Sequence, residues 1–236
     1  MSGSEYLAFD LQGLWREIPL AFFDLESTGL DTAEARIVEV GIVTYRDGRP
    51  VERWGQLINP GMPIPPGASE TNHITDDMVA DKPSFREASW EIYRRLRDKV
   101  LVAYNGLSYD APLLAAEMTR CGLTPPEQPI LDPMMWVFKK LPSKSGWPFG
   151  QARVCEKLGV EQVDAHRAVS DCEALAQITF RLADEVPPTL AELLKLQDRW
   201  RSEFLVLKNE RDEARRAKQA AAAPDEPEDK GQGGLF

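Results

Sequence analysis

The chain has 236 residues, 43% of them hydrophobic, which is enough for one sizeable domain with a buried core. Its formal net charge of −10 argues against a protein that grips long nucleic acid through a broad basic face, but not against an enzyme that holds a few nucleotides at a metal site. The start of the chain lacks the regions of a signal peptide and no apolar run is long enough to cross a bilayer, so we expect a cytoplasmic protein without a membrane partner.

Strands dominate the first part of the chain. Apolar and aromatic residues predict β-strands at 20–26, 37–45 and 51–58, and the Asp47-Gly48 pair predicts a hairpin turn between the last two. The segment 59–67 is dense in proline and glycine, which predicts a loop.

Helices then alternate with short strands. Apolar periodicity predicts short strands at 100–104 and 130–131, a helix that ends at 140, and further helices at 84–99, 111–121, 149–158 and 168–185. This order predicts an α/β fold in three layers, with a mixed β-sheet flanked by helices.

The Pro187-Pro188 pair marks a domain boundary. We predict a globular domain over 1–187 and a helical extension over 188–223, which packs back on the domain, pairs with a second copy or docks on a polymerase. The tail over 224–236 is rich in proline, acidic residues and glycine, and we expect it to be disordered.

Two carboxylates lie close together on the first predicted strand. Asp24 and Glu26 are two residues apart, so both side chains face the same side of the sheet. Such a pair would repel and raise each other's pKa, and a divalent cation removes that cost. The alternative is an exposed strand end that carries two acids by chance.

Three further polar residues complete a candidate site. Asp110 begins a predicted helix directly after a strand, a position where an acid also serves helix capping. His166 and Asp171 are five residues apart, which places them on different faces of a continuous helix. If His166 precedes the helix and Asp171 lies in its first turns, the histidine can act as a base beside a metal ion. Alone, His166 is equally consistent with a surface histidine.

Together these segments resemble the motifs of the DEDDh (DnaQ-like) 3′–5′ exonuclease family, which includes proofreading subunits of bacterial DNA polymerases. The matching motifs are FDLESTGL at 23–30, AYNGLSYD at 103–110 and HRAVSD at 166–171. The resemblance covers roughly residues 20–186 and implies a ribonuclease H-like exonuclease fold for the domain at 1–187. Tyr109 stands where the family usually has phenylalanine.

The resemblance also implies roles for these residues. Two Mg²⁺ or Mn²⁺ ions would be held by carboxylates, the first by Asp24, Glu26 and Asp171 and the second by Asp24 and Asp110, with His166 as general base. The substrate-side residues that it implies are Ser27, Thr28, His73 and Asn105. For His73, a loop histidine without a special role is an equal alternative.

The end of the chain resembles a second short motif. Gln232, Leu235 and Phe236 form the pattern Gln-x-x-Leu-Phe, by which bacterial replication proteins dock on the sliding clamp. The two apolar side chains would enter a pocket while the glutamine hydrogen-bonds at its rim. The alternative is a chance resemblance over a few positions.

The sequence therefore favours a 3′–5′ exonuclease that acts on single-stranded or frayed DNA 3′ ends in proofreading or repair, with a sliding clamp and a DNA polymerase as partners. An exoribonuclease that trims RNA is an alternative, because the motifs do not distinguish the two sugars. A non-catalytic adaptor that recruits a clamp or polymerase is another, but it would need none of the acidic residues.

Overall fold

The computed structural model describes residues 10–141, 143, 147–162 and 166–222, with the side chains of 219–222 excepted. Five strands form one sheet: β1 (Leu20–Ser27), β2 (Ile37–Arg46), β3 (Arg49–Leu57), β4 (Val100–Val102) and β5 (Ile130–Leu131). The strand order is β3-β2-β1-β4-β5, antiparallel from β3 to β1 and parallel from β1 to β5. The sheet is therefore mixed, as predicted.

The described residues also form eight α-helices: α1 (Pro66–Asn72), α2 (Asp76–Val79), α3 (Phe85–Leu96), α4 (Asp110–Arg120), α5 (Pro133–Lys140), α6 (Gln151–Leu158), α7 (Ala168–Arg181) and α8 (Leu190–Ala222). A short 3₁₀ turn follows α7 at Ala183–Glu185. The loop predicted over 59–67 is wrong at its end, because α1 already begins at Pro66. Proline is compatible with a first helical position, where its missing N–H would have had no helical partner.

Side-chain alternation along β1 divides the hydrophobic core in two. Phe22 packs in the layer that contains α5, α6, α7 and α8, whereas Phe23 and Leu25 pack in the layer that contains α3 and α4. Helices therefore cover both faces of the sheet, which is the predicted three-layer arrangement. The alternation leaves Asp24 and Glu26 on the same face as Phe22, beneath α7.

The start of α7 lies directly on β2 at Gly41. A Cβ atom at Gly41 would lie 2.3 Å from the carbonyl carbon of Ala168 and 2.5 Å from the backbone nitrogen of Val169. Any side chain there would push the helix away from the sheet. Gly41 is also the partner of Asp24 in the β1–β2 ladder. This close approach therefore sets the distance between α7 and the acidic end of β1.

The first half of α8 packs back on the domain. Leu193, Trp200 and Phe204 are buried on one side of it. Gln197 is buried beside them, where its Nε2 donates to the carbonyl of Ile130 at 2.9 Å and its Oε1 accepts from the backbone N–H of Asp132 at 2.7 Å. These two bonds fix α8 against β5 in one register.

None of the helices in the described part of the chain combines the length and the apolar character that a bilayer crossing requires. The tail, with Gln232, Leu235 and Phe236, lies outside the described residues.

Candidate active site

A cleft of about 530 Å³ opens at the edge of the sheet where β1 and β4 end. Six of the residues that the sequence predicted for the site line it: Asp24, Glu26, Asn105, Asp110, His166 and Asp171. They come from the end of β1, the turn after β4, the start of α4 and the start of α7. The fold thus brings together residues that are far apart in the chain.

The two carboxylates of β1 are held in a poorly solvated, acidic environment. Burial raises the pKa of Asp24 well above its ordinary value, and the nearby Asp110 and Asp171 raise it further. Burial also raises the pKa of Glu26 to about 8, with an added contribution from Asp171. Both groups therefore favour the protonated form unless positive charge is brought to them.

Asp110 connects the start of α4 to β1. Its Oδ1 accepts a hydrogen bond from the backbone N–H of Leu25 at 3.1 Å. Burial raises the pKa of Asp110 to about 7, although this hydrogen bond acts in the opposite direction. The carboxylate therefore lies beside the acidic end of β1, where a backbone bond fixes its position.

The turn between β4 and α4 is held by an acid at the end of β5. Asp132 is buried, and its carboxylate accepts hydrogen bonds from the backbone N–H groups of Asn105 at 2.9 Å and Leu107 at 3.3 Å. Asn105 has a φ of 60°, a left-handed conformation that asparagine tolerates better than most residues. These bonds fix the turn that leads into Asp110.

His166 precedes α7 and Asp171 lies in its first turn, which is the arrangement that their spacing required. The Oδ2 of Asp171 accepts from the backbone N–H of His166 at 3.1 Å, and its Oδ1 accepts from the side chain of Gln162. His166 is exposed and has a φ of 64°. Glu26, His166 and Asp171 each offer one ligand atom, and these atoms lie within 4.8 Å of one another.

An ion pair beneath His166 was not predicted from the sequence. Glu39 is buried and accepts from the Nη2 of Arg167 at 2.9 Å and from the backbone N–H of Ala168 at 3.2 Å. It pairs with Glu26 across the β1–β2 ladder. A lone acid within the apolar strand 37–45 was the available sequence signal for Glu39.

Three of the four predicted substrate-side residues do not line the cleft, namely Ser27, Thr28 and His73. The Oγ1 of Thr28 accepts from the backbone N–H of Arg36 at 2.9 Å. The hydroxyl of Ser27 is hydrogen-bonded to that of Tyr109, which also donates to the Gly29 carbonyl at 2.7 Å. These contacts stabilise the turn after β1, and a substrate-binding role for the three residues stays a prediction.

The chemistry of the donor set suits hard divalent cations. Four carboxylates line the cleft, and carboxylate oxygens are the ligands that Mg²⁺ and Mn²⁺ prefer. All four have a raised pKa, first because of burial: Asp24, Glu26, Asp110 and Asp171. Bound cations would relieve this unfavourable burial of negative charge. The residues present therefore fit a divalent-metal centre.

Sequence comparison identifies a family and relatives of this chain. A family model described as Exonuclease (RNase_T) matches residues 21–179. The chain is 33% identical over 156 residues to the DNA polymerase III subunit epsilon of Treponema pallidum (strain Nichols). That match covers 66% of this chain and 72% of the relative.

Two solved structures share the fold. E. coli exonuclease I in complex with a dA16 oligonucleotide gives a TM-score of 0.64 at 16% identity, over 77% of this chain and 42% of that one. Exonuclease X in complex with 5′ overhanging duplex DNA gives a TM-score of 0.59 at 24% identity, over 75% of this chain and 99% of that one. At these identities the likeness establishes the ribonuclease H-like fold.

Proposed function

Because the chain belongs to the RNase_T exonuclease family, we propose that it is a two-metal-ion 3′–5′ exonuclease that releases nucleoside 5′-monophosphates from DNA 3′ ends. One observation carries this proposal: four carboxylates and a histidine from separate elements converge in one cleft. An adaptor protein would gain nothing from burying so many acids together, because each raised pKa reflects a cost to the fold.

The carboxylates are assigned to a pair of Mg²⁺ or Mn²⁺ ions. Asp24, Glu26 and Asp171 would hold one ion, and Asp24 together with Asp110 would hold the other. When bound, such ions would supply the positive charge that neutralises the phosphate and stabilises the attacking and leaving oxygens of an in-line displacement. The donor set consists of four carboxylates, and these oxygen ligands favour Mg²⁺ or Mn²⁺ over softer metals.

His166 is assigned as the general base. Its imidazole would take a proton from the attacking water, and its exposure at the cleft would let that proton pass to solvent. The backbone bond from His166 to Asp171 holds the residue at the edge of the carboxylate cluster. The ion pair between Glu39 and Arg167 fixes the backbone on the other side of the histidine.

DNA is the proposed substrate because of the relatives. One relative is a DNA polymerase III subunit, and two proteins of the same fold were solved with a dA16 oligonucleotide and with duplex DNA. We assign the chain to proofreading or repair, with a DNA polymerase and a sliding clamp as partners. The clamp contact would use Gln232, Leu235 and Phe236, outside the described residues.

A cleavage assay on matched strands tests this function. The protein, with Mg²⁺ or Mn²⁺, is incubated with 5′-labelled single-stranded DNA and RNA of the same sequence. Asp24→Asn removes one charge from the cleft, and Asp47→Asn is the matched control in the exposed β2–β3 turn, where asparagine tolerates the φ of 48°.

We expect a ladder that shortens from the 3′ end of DNA with the wild type and Asp47→Asn, and no ladder with Asp24→Asn. A ladder mainly on RNA would retain the chemistry and replace DNA with RNA as the substrate. If neither strand is cut and the protein binds no metal, the proposal is overturned in favour of the non-catalytic adaptor. Equal cleavage by Asp24→Asn would refute the assigned site.

A further inference from the structure

The second half of α8 carries a row of cationic side chains. Their spacings of three and four residues place them on one face of the helix, and we call them the basic stripe: Lys208, Arg211, Arg215 and Lys218. Glu210 and Glu213 lie on other faces, and Asp212 borders the stripe without cancelling its positive charge. Arg215 and Lys218 are exposed.

The basic stripe continues the face by which α8 packs on the domain. Trp200 and Phe204 are buried on that face, and Phe204 is one helical turn before Lys208. The same face therefore changes from apolar to basic as the helix leaves the core. Because the apolar part of this face packs against the domain, the basic stripe lies on the domain side of α8.

About a third of the way along its length, α8 passes the end of the sheet where the cleft lies. It begins at Leu190, whose backbone N–H donates to Gly13, ahead of β1. At Arg201 it reaches the turn between β4 and α4, where the guanidinium donates to the carbonyl of Leu107 at 3.3 Å. Residues 202–222 then extend about 30 Å further at ~1.5 Å per residue.

The basic stripe also passes the wall of the cleft. The guanidinium carbon of Arg211 lies 4.6 Å from the centre of the Trp147 ring. Trp147 is three residues before Gly150, which lines the cleft together with Gln151. Arg211 of the basic stripe therefore contacts the chain three residues before this wall of the cleft.

We propose that the basic stripe binds the phosphodiester backbone of the strand whose 3′ end lies in the cleft, an inference that rests on the proposed function. A chain with a net charge of −10 and an acidic cleft repels a polyanion at long range. A row of cations beside the cleft offsets that repulsion and holds the nucleotides upstream of the scissile bond. The contact reads phosphate and not base, so it is independent of sequence.

The test compares a long and a short substrate with the full-length chain. Arg215→Gln/Lys218→Gln should raise the KM for a single-stranded DNA 20-mer about tenfold at 0.1 M salt, with kcat within about twofold. Cleavage of a deoxydinucleotide, too short to reach α8, should change less than about twofold. The slope of log KM against log salt should fall by about 1.4, which is ~0.7 for each lost contact.

Two control variants separate local contact from net charge. Arg46→Gln/Arg49→Gln removes the same charge from exposed positions at the end of β2 and β3 farthest from the cleft, and should leave the KM unchanged. Arg215→Lys/Lys218→Arg keeps the charge and should behave as the wild type. An equal rise in KM for the far-side variant, an unchanged salt slope, or an equal loss on the dinucleotide would overturn the proposal.

Binding of the labelled 20-mer in EDTA, followed by fluorescence anisotropy, gives a readout without cleavage. Weaker binding by Arg215→Gln/Lys218→Gln than by the far-side variant supports the basic stripe as a DNA contact. If no strand is cut in the cleavage assay, this binding result still stands and only the proposed exonuclease function is overturned. Equal binding by both variants overturns the stripe as a nucleic-acid contact.

Discussion

The Nη2 of Arg167 donates a hydrogen bond to the Oε1 of Glu39 at 2.9 Å, across 128 residues of sequence. Glu39 is buried beside Glu26 in the β1–β2 ladder, and Arg167 directly follows His166. The pair therefore joins β2, at the position beside Glu26, to the residue that follows the proposed base His166. It also holds the backbone where His166 takes its left-handed conformation.

We predict that Arg167→Gln lowers kcat about tenfold or more and changes KM less than about threefold, because a misplaced base slows the chemical step without weakening substrate binding. Arg167→Lys should restore part of the loss, since it keeps the charge but not the forked geometry. Steady-state kinetics on a DNA strand measure both constants.

The same change in a His166→Gln background is the decisive control. If Arg167 acts through His166, adding Arg167→Gln to His166→Gln should cause little further loss of kcat. Fully additive losses would show that Arg167 acts on the carboxylates or on folding instead.

His166 itself should be needed for turnover but not for metal binding. His166→Gln is expected to lower kcat by about 10²- to 10⁴-fold, the usual contribution of a general base. The rise in melting temperature with Mn²⁺ should remain, because the four carboxylates are unchanged. Loss of that rise would instead identify His166 as a metal ligand, which the 4.8 Å grouping with Glu26 and Asp171 also permits.

The metal-free protein should lose stability as the pH rises. Glu26 and Asp110 have folded-state pKa values of about 8 and about 7, both above their ordinary values because of burial. Between about pH 4 and pH 8 the unfolded state therefore binds fewer protons than the folded state, so the free energy of unfolding falls. Urea unfolding in EDTA at pH 5 and pH 8 measures the difference.

Asp110→Asn should flatten this dependence between about pH 4 and pH 7, the range set by the raised pKa of Asp110, since the amide cannot ionise but still accepts the Leu25 N–H bond. Mg²⁺ should restore stability at pH 8 in the wild type more than in Asp110→Asn. Greater stability of the metal-free wild type at pH 8 than at pH 5 would contradict the assigned burial of charge.

The contact of α7 with β2 predicts a sensitive glycine. Gly41→Ala should cost about 1–3 kcal/mol of stability and lower activity, because the new Cβ atom meets the backbone of Ala168 and moves Asp171 away from β1. Gly67→Ala is the matched control, since nothing lies within 4 Å of a Cβ atom there and the site is helical. Thermal unfolding and cleavage rates distinguish the two. Equal stability of both variants would contradict the tight packing.

Local patterns predicted how the residues of the carboxylate cleft face one another, and the resemblance of three motifs to the DEDDh exonuclease family selected those residues. Alternation along β1 placed Asp24 and Glu26 on one face, and the five-residue spacing of His166 and Asp171 required the helix to begin between them. Both inferences need only the geometry of one element, and the order of strands and helices then predicted the sheet that brings the elements together.

The supporting contacts depend on pairings that no local pattern contains. In the sequence Glu39 is an isolated acid in an apolar strand, because its partner Arg167 is 128 residues further along the chain. No local pattern distinguishes Gly41 from other strand residues. The need for glycine at this position follows only from the close approach of α7. In the same way, the buried bonds of Gln197 require the register of α8 against β5.

Counting bound Mn²⁺ ions tests the two-ion centre most directly. Electron paramagnetic resonance of the protein with thymidine 5′-monophosphate should give about two Mn²⁺ ions per chain, and the cleavage rate should rise with their occupancy. Asp24→Asn should lose both occupancy and cleavage, because Asp24 is assigned to both ions. A wild type that binds no Mn²⁺, or that cuts DNA equally well in EDTA, would contradict the metal-dependent exonuclease.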